Sequence, residues 1–529
     1  MSKGIIWWVL VLGWLVAPAI AADEYEFDNV QRIVVVGDVH GAWPQFHELM
    51  QGVGIVDKQD QWVAGETHLV SLGDLVDRGA DSRRVIEWLQ QLEPQAQAAG
   101  GRVHVLLGNH ELMNMSGDLR DVAEGEFVAW GGRTGHRQSF SLQGAAGAWL
   151  RNKPILLRIN QSLFAHGGVS PELLPLGSIA EVNAHFAAHL SSLLEQGETL
   201  VADGVIPADT DFLYFSLPQD TPASPQVQAF AELSSATRNL VAFGGQGPLW
   251  YRGNAACHEL LESTHVAQVL EQFSVDRIVV GHTPTVTRRV ESRFDGQVVL
   301  ADTGMLSSVY RGKPYALILE QGEVPFVLSA NGEKSEVRVK GRNTAISAAT
   351  PQDRLIFEKL SKRQAAKAVA AWRLSEWLGF DLVAPTAMAK AVDETSKQGV
   401  FVRSEALRSE RERIDSNRQR PNYCNPWSDF DLVRVFDALT GMQQRSLVNL
   451  AYRRADWRIR LSKNQLAFKT SAKLPEYANP PILPPPAAER LRTLNAEQLS
   501  QLLGDLLKPS EIKAILTRRD QILEWPQSR

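Results

Sequence analysis

The sequence predicts an α/β chain with a second, mostly helical region. Three observations carry that expectation. Six apolar runs rich in Val, Ile and Leu each stop at a small residue and then at Asp, Asn or His: 32–41, 68–79, 102–111, 162–168, 277–284 and 298–305. Such runs read as buried strands ending at tight loops. Amphipathic stretches such as Ile179–Leu194 fall between them, and from about residue 352 the pattern turns helical, most clearly over Ala365–Leu378.

Read in order, RIVVVGDVHG (32–41) places Asp38 and His40 two apart after the first strand, where both side chains can face one cation. HLVSLGDLVDRG (68–79) ends the next strand at Asp74, a carboxylate able to bridge two ions. RVHVLLGNHE (102–111) presents the neutral amide of Asn109. SLFAHGG (162–168) and RIVVGHTP (277–284) present His166 and His282, and VVLADTGM (298–305) brings Asp302, read as a partner of His282. Oxygen and imidazole donors without sulfur suit Mn, Zn or Fe. Two such ions clamp an in-line displacement at phosphorus and supply a bridging hydroxide.

Two inserts, Ser116–Leu150 and Pro171–Val241, are long enough to shape a cleft. The second includes a polar loop at Asp220-Thr221-Pro222. Residues 330–350 are polar and read as a linker. An Asn479–Pro486 crossing precedes two helices with Asn495 and Ser510 as N-caps.

The chain has 529 residues with 44% hydrophobic and 22% charged side chains, enough for two or three domains. A net charge of −5 does not point to nucleic acid as a partner. The two cysteines, Cys257 and Cys424, exclude a thiolate metal site and a disulfide scaffold. They are expected to be unpaired buried thiols rather than one long-range disulfide. Lys3, the 12-residue apolar run Ile5–Val16 and the small-residue site Ala19-Ile20-Ala21 read as an export signal over residues 1–22. No other stretch has transmembrane length, so a periplasmic or otherwise exported protein with no membrane span after signal removal is expected.

Gly37-Asp38-Val39-His40-Gly41, Gly73-Asp74-Leu75-Val76-Asp77-Arg78-Gly79 and Gly108-Asn109-His110-Glu111 together resemble the phosphoprotein phosphatase branch of the calcineurin-like metallophosphoesterases. The resemblance implies a four-layer β-sandwich flanked by helices over residues 28–330. It implies one metal held by Asp38, His40 and Asp74 and a second by Asp74, Asn109, His166 and His282. It also implies His110 as general acid, Asp77 as the group that orients it, and Arg78 as a phosphate clamp. Arg252, in Gly247-Pro248-Leu249-Trp250-Tyr251-Arg252, is a second clamp candidate; Arg133 and Arg137 are further ones. Gly281-His282-Thr283-Pro284 lacks the second His found in many phosphodiesterases of this fold, which argues for a monoesterase.

The run Met113–Arg120, with Trp149-Leu150-Arg151 and His166-Gly167-Gly168, resembles the Shewanella-like phosphatases. A phosphoprotein or a small phosphoester is the implied substrate. A nucleotide or dinucleoside polyphosphate hydrolase is the competing enzyme, and an exported binding scaffold with a vestigial phosphatase the competing non-enzyme. Residues 351–529 resemble a degenerate phosphatidylinositol-kinase-like domain through Ala370–Phe380 and Val435–Gly441. Gln444 and Lys463 stand where that family carries two acids, so no phosphoryl transfer from ATP is expected there.

Overall fold

The computed structural model describes residues 24–217, 223–339, 345–347, 349–393, 398–443, 445–477 and 481–527. The expected export signal, the Asp220-Thr221-Pro222 loop and Gln444 lie outside the described residues.

The N-terminal region contributes strands β1 (Glu26–Phe27), β2 (Arg32–Val36), β3 (His68–Ser71), β4 (Arg102–Val105), β5 (Leu156–Ile159), β6 (Ser162–Ala165), β7 (Arg277–Val280), β8 (Glu291–Arg293), β9 (Val298–Leu300), β10 (Tyr315–Glu320), β11 (Phe326–Ser329), β12 (Lys334–Glu336) and β13 (Arg338–Val339). Among the described residues these form two sheets, ordered β12-β11-β10-β2-β3-β4 and β1-β5-β6-β7-β9-β8-β13. Segment 331–350, read as a linker, carries β12 and β13, each at an edge of one sheet.

The central strands β2, β6, β7, β9 and β10 read as continuous apolar runs because both faces are covered. Ile33, Val35, Val70, Leu317 and Leu319 of one sheet meet Leu157, Phe164, Val279 and Val299 of the other in an inter-sheet core. The alternate residues Val34, Val36, Leu69, Leu163, Ile278 and Val298 pack into a second core with helices. Those helices include Trp43–Gly52, Ser82–Ala98 and Ile179–Ala202. This is the expected four-layer arrangement, and each fully buried aliphatic side chain contributes about 1.5–3 kcal/mol to it.

Strands β2, β3 and β4 run parallel, as do β6, β7 and β9. Six loops at the C-terminal ends of these strands carry the predicted donors.

The C-terminal region has helices Lys362–Trp377, Pro426–Thr440, Pro485–Thr493, Ala496–Leu503 and Pro509–Leu523 around one apolar core. It is less uniformly helical than its pattern suggested. Strands β14 (Leu355–Lys359), β15 (Thr386–Met388) and β16 (Gly399–Arg403) form one small sheet. A second contains β17 (Leu407–Ser409), β18 (Leu450–Arg453) and β19 (Ile459–Leu461). Runs of three to five residues are too short to show a period. Asn495 caps its helix as expected, accepting from the Gln498 amide. Ser510 does not, because Pro509 already occupies the first helical turn and Lys508 precedes it.

Cys257 and Cys424 are not free thiols. They form a disulfide with Cα atoms 5.4 Å apart. The two halves pack closely enough to bring residues 167 apart in sequence within bonding range. Among the described residues no helix is long and apolar enough to cross a membrane.

Candidate metal centre

Three of the six donors sit in left-handed turns. His40, Asp74 and His282 have φ of 49°, 51° and 62°, a left-handed region that non-glycine residues rarely enter. The turns hold because they bond one another. Val39 and His40 donate their amides to the Asp74 carbonyl at 3.0 and 2.8 Å. Gly281 donates to the His166 carbonyl at 2.7 Å, and the His282 amide to Asp38 Oδ1 at 2.9 Å. Two glycines are required by this closeness: a Cβ at Gly108 would lie 2.2 Å from Asp74 Oδ1, and one at Gly281 2.5 Å from Asp38 Oδ1.

The structure brings all six predicted ligands together, and all are buried. His40, Asp74 and His110 present ligand atoms within 4.8 Å of one another, as do Asp74, His166 and His282, so Asp74 is common to both clusters. Asp38 Oδ2 stands 3.9 Å from His40 Nε2, beside the first cluster. Asn109 Oδ1 stands 3.1 Å from His166 Nε2, beside the second.

Backbone carbonyls fix the tautomers. His40 Nδ1–H donates to Val76 at 3.0 Å and His166 Nδ1–H to Leu72 at 2.8 Å, which aims both Nε2 atoms at the cation site. Burial depresses His40 to a pKa of about 3 and holds His282 well below the usual histidine range, so both are neutral. Burial opposes charge on Asp74, yet His166 and His110 keep it ionised, well below the usual carboxylate range. His282 Nε2 is buried without a hydrogen-bond partner, an arrangement suited to a cation and costly otherwise. The donor set therefore fits divalent metal.

Glu111, in the first turn of the helix Asn109–Ser116, supports the site. Its carboxylate accepts from the amides of Asp74, Leu75 and Gly108 at 2.8, 2.7 and 2.8 Å. Asp302 does not partner His282 as expected. It accepts from the Gly304 amide at 2.8 Å, and its carboxyl, raised to about 6 by burial, faces Asp38.

Beside these donors His110 Nδ1 lies 2.6 Å from Asp77 Oδ2, whose other oxygen accepts from Asn114 Nδ2 at 2.8 Å. Burial disfavours charge on His110, but Asp74 and Asp77 outweigh it and raise the imidazole to about 9. Arg78 Nη2 sits 3.3 Å from His110 Nε2. Arg252 is held by the His282 carbonyl and Thr283 Oγ1, both at 3.0 Å.

A cavity of about 230 Å³ opens onto these groups, lined by His40, Asp74, His110, Arg78, Arg252 and Tyr310 among others. Arg120 and Asp121 bring the first insert into it, whereas no described residue of Pro171–Val241 lines it. The second insert instead lays the helix Ile179–Ala202 against β5. Arg133 and Arg137 are not at the site. Arg133 lies over the Phe127 ring at 4.1 Å, and Arg137 over Phe212 at 4.8 Å while donating to the Thr210 carbonyl.

Tyr310 and Arg120 are wall residues that sequence reasoning missed. The Tyr310 ring stacks on His40 at 5.4 Å and its hydroxyl is 3.1 Å from His40 Nε2. It lies in a short loop helix with no periodic signal, so nothing in the sequence marks it.

Residues 31–286 match the family model for calcineurin-like phosphoesterases. An uncharacterised protein of Schizosaccharomyces pombe is 29% identical over 306 residues, covering 56% of this chain and 80% of its own. Shewanella-like protein phosphatase 2 of Arabidopsis thaliana is 36% identical over 110 residues, or 20% of this chain and 28% of that protein. Among solved structures, a cold-active protein-tyrosine phosphatase of a psychrophilic Shewanella species is 28% identical, covering 59% of this chain and 82% of its own, with a TM-score of 0.47. Residues 31–286 thus form a calcineurin-like metallophosphoesterase domain, and the chain is a phosphoester hydrolase.

Proposed function

We propose that the chain is a phosphomonoesterase acting on phosphoproteins through a dinuclear centre. The observation that carries the reading is the 2.6 Å pair of His110 and Asp77, set between the shared ligand Asp74 and the guanidinium of Arg78. Asp38, His40 and Asp74 would hold one divalent cation, and Asp74, Asn109, His166 and His282 a second. Together the ions would supply charge neutralisation at phosphorus and an activated water.

The chain's own residues do the rest. His110 Nε2 and Arg78 Nη2 present donors to one place, and Arg252 flanks the same cavity. Convergent donors suit phosphoryl oxygens, and the two guanidinium forks bind them in pairs. Asp77 holds His110 Nδ1–H, so that Nε2–H is free to protonate the departing oxygen. A pKa raised to about 9 keeps that proton in place at neutral pH. The similarity to a named protein phosphatase supports a phosphoprotein as substrate. An exported location is supported by the N-terminal motif and by the Cys257–Cys424 disulfide, since disulfides persist in oxidising compartments.

The test is a turnover screen of enzyme reconstituted separately with Mn, Zn and Fe. Its substrates are phosphotyrosine peptides, phosphoserine peptides and a dinucleoside tetraphosphate. Turnover of a phosphopeptide well above the tetraphosphate is expected. The reverse order would replace this reading with a nucleotide hydrolase.

A further inference from the structure

Asp77 and Arg78 are consecutive non-glycine residues in left-handed backbone, with φ of 70° and 67°. Each such residue costs on the order of 1–3 kcal/mol and persists only where its surroundings impose the conformation. The surroundings come from the first insert. The Asp77 amide donates to Glu126 Oε2 at 3.2 Å, and the same oxygen accepts from Ser82 Oγ at 2.8 Å. The Arg78 amide donates to the Asp121 carbonyl at 3.0 Å.

Glu126 lies in the short helix Glu124–Ala129, and its carboxylate is fully buried. The helix presses on the loop it restrains, since a Cβ at Gly125 would stand 2.8 Å from the Ala80 Cβ. Behind Glu126 Oε1, His136 Nε2 is 3.6 Å away. His136 is enclosed by rings, stacked on Phe140 at 4.6 Å and edge-on to Phe127 at 5.2 Å. A buried carboxylate, its imidazole neighbour and donors from the Asp77 turn and from Ser82 are more than a helix of six residues needs to fold.

We propose that Glu126 is a positioning residue for the reaction. It fixes the backbone of Asp77, so that the Asp77 carboxylate meets His110 at 2.6 Å and Arg78 meets His110 Nε2 at 3.3 Å. This rests on the roles given above to His110 and Arg78. Glu126 touches no reacting atom and acts only through the loop.

The experiment compares Glu126→Gln, Glu126→Asp and Glu126→Ala in the full chain. The first readout is the downfield proton resonance of the His110–Asp77 hydrogen bond, assigned by its loss in His110→Asn. The second is kcat on an alkyl and an aryl phosphate, with metal content and Tm alongside. Gln keeps an oxygen acceptor at the same reach and should retain both the resonance and the rate. Asp is one methylene short and Ala has no acceptor. Both should lose or shift the resonance and lower kcat on the alkyl ester by about 10- to 100-fold, the scale of a misplaced catalytic group, with metal content unchanged.

If Glu126→Asp lowers only the Tm and leaves the resonance in place, Glu126 is merely structural and the proposal is overturned. A wild-type spectrum without the resonance overturns it as well, because the bond is then not held. A lost resonance without a change in rate upholds the positioning by Glu126 and removes His110 as the acid, so the two readings fail separately.

Discussion

Cys257 and Cys424 are bonded across 167 residues of chain, and the bond fastens the C-terminal half to the segment that follows Arg252. Only the short helix Gly253–Ala256 separates Arg252 from Cys257. Other contacts cluster at the same seam. Arg458 Nη2 donates to the Cys257 carbonyl at 2.6 Å, and His258 Nε2–H to the Phe380 carbonyl at 2.8 Å. Arg252, at the wall of the cavity, is therefore buttressed by the far half of the molecule.

Removing the bond should cost stability on the order of 5 kcal/mol, the chain-entropy value for so long a loop. Cys257→Ser with Cys424→Ser is expected to lower the Tm and to raise the KM through Arg252, while bound metal stays at the wild-type level. Calorimetry and steady-state kinetics with and without dithiothreitol check this. Identical unfolding curves under both conditions would show that the seam holds without the disulfide.

Asp74 is common to both candidate metal clusters. Asp74→Asn should lower bound metal toward one ion or none and reduce turnover to background. Metal analysis of the purified variant, paired with turnover of an aryl phosphate, is the check. Full metal content with near-normal turnover would remove the two-metal arrangement.

How much of this was legible beforehand follows from where each residue sits. Asp38, His40, Asp74, His166 and His282 each follow an almost wholly buried apolar strand, and Asn109 follows the edge strand β4 through the buried Leu106 and Leu107, so an apolar run announces each of them. Glu126 and Tyr310 lack such a marker. They reach the site from an insert and a loop, through tertiary contacts that leave no period in the sequence. The disulfide was misread for a related reason, since spacing says nothing about cysteines 167 residues apart. The strands of the C-terminal region were hidden by their brevity, and Arg137 by its chemistry. Its guanidinium is spent on the Thr210 carbonyl and the Phe212 ring rather than on substrate.

A pH dependence of stability follows from a histidine pair remote from the site. His104 Nε2 lies 3.0 Å from His68 Nδ1 beside the Phe27 ring. Burial lowers His68 to about 4 and His104 well below the usual value. Above pH 6.5 both are neutral in folded and unfolded chains alike. As pH falls from 6.5 toward 4 the unfolded chain takes up protons that the folded one refuses, so stability is lost across that window. The Tm should fall in this range, and the double variant His68→Gln, His104→Gln should show a shallower slope. An unchanged slope would place the acid sensitivity elsewhere.

Proton donation and metal binding at His110 are separable by substitution. His110 belongs geometrically to the first metal cluster, yet its Nδ1 is occupied by Asp77 and its Nε2 stands beside Arg78. If His110 is the acid, His110→Asn should cut kcat by roughly 10²–10⁴-fold on alkyl phosphates. Aryl phosphates, whose departing oxygen needs less protonation, should lose less. Bound metal should be unchanged, because Asp38, His40 and Asp74 remain. The pH profile adds a second signature. Asp74 and Asp77 raise His110 to about 9, so the proton is present below that value and lost as pH rises through it. With a cation held by Asp74, part of that charge would be neutralised and this limb would lie at lower pH. The wild-type enzyme should therefore show an alkaline fall in kcat, at or below pH 9, that His110→Asn lacks. Equal losses on alkyl and aryl esters, or an alkaline limb that survives the substitution, would assign His110 to the metal and leave the proton to solvent.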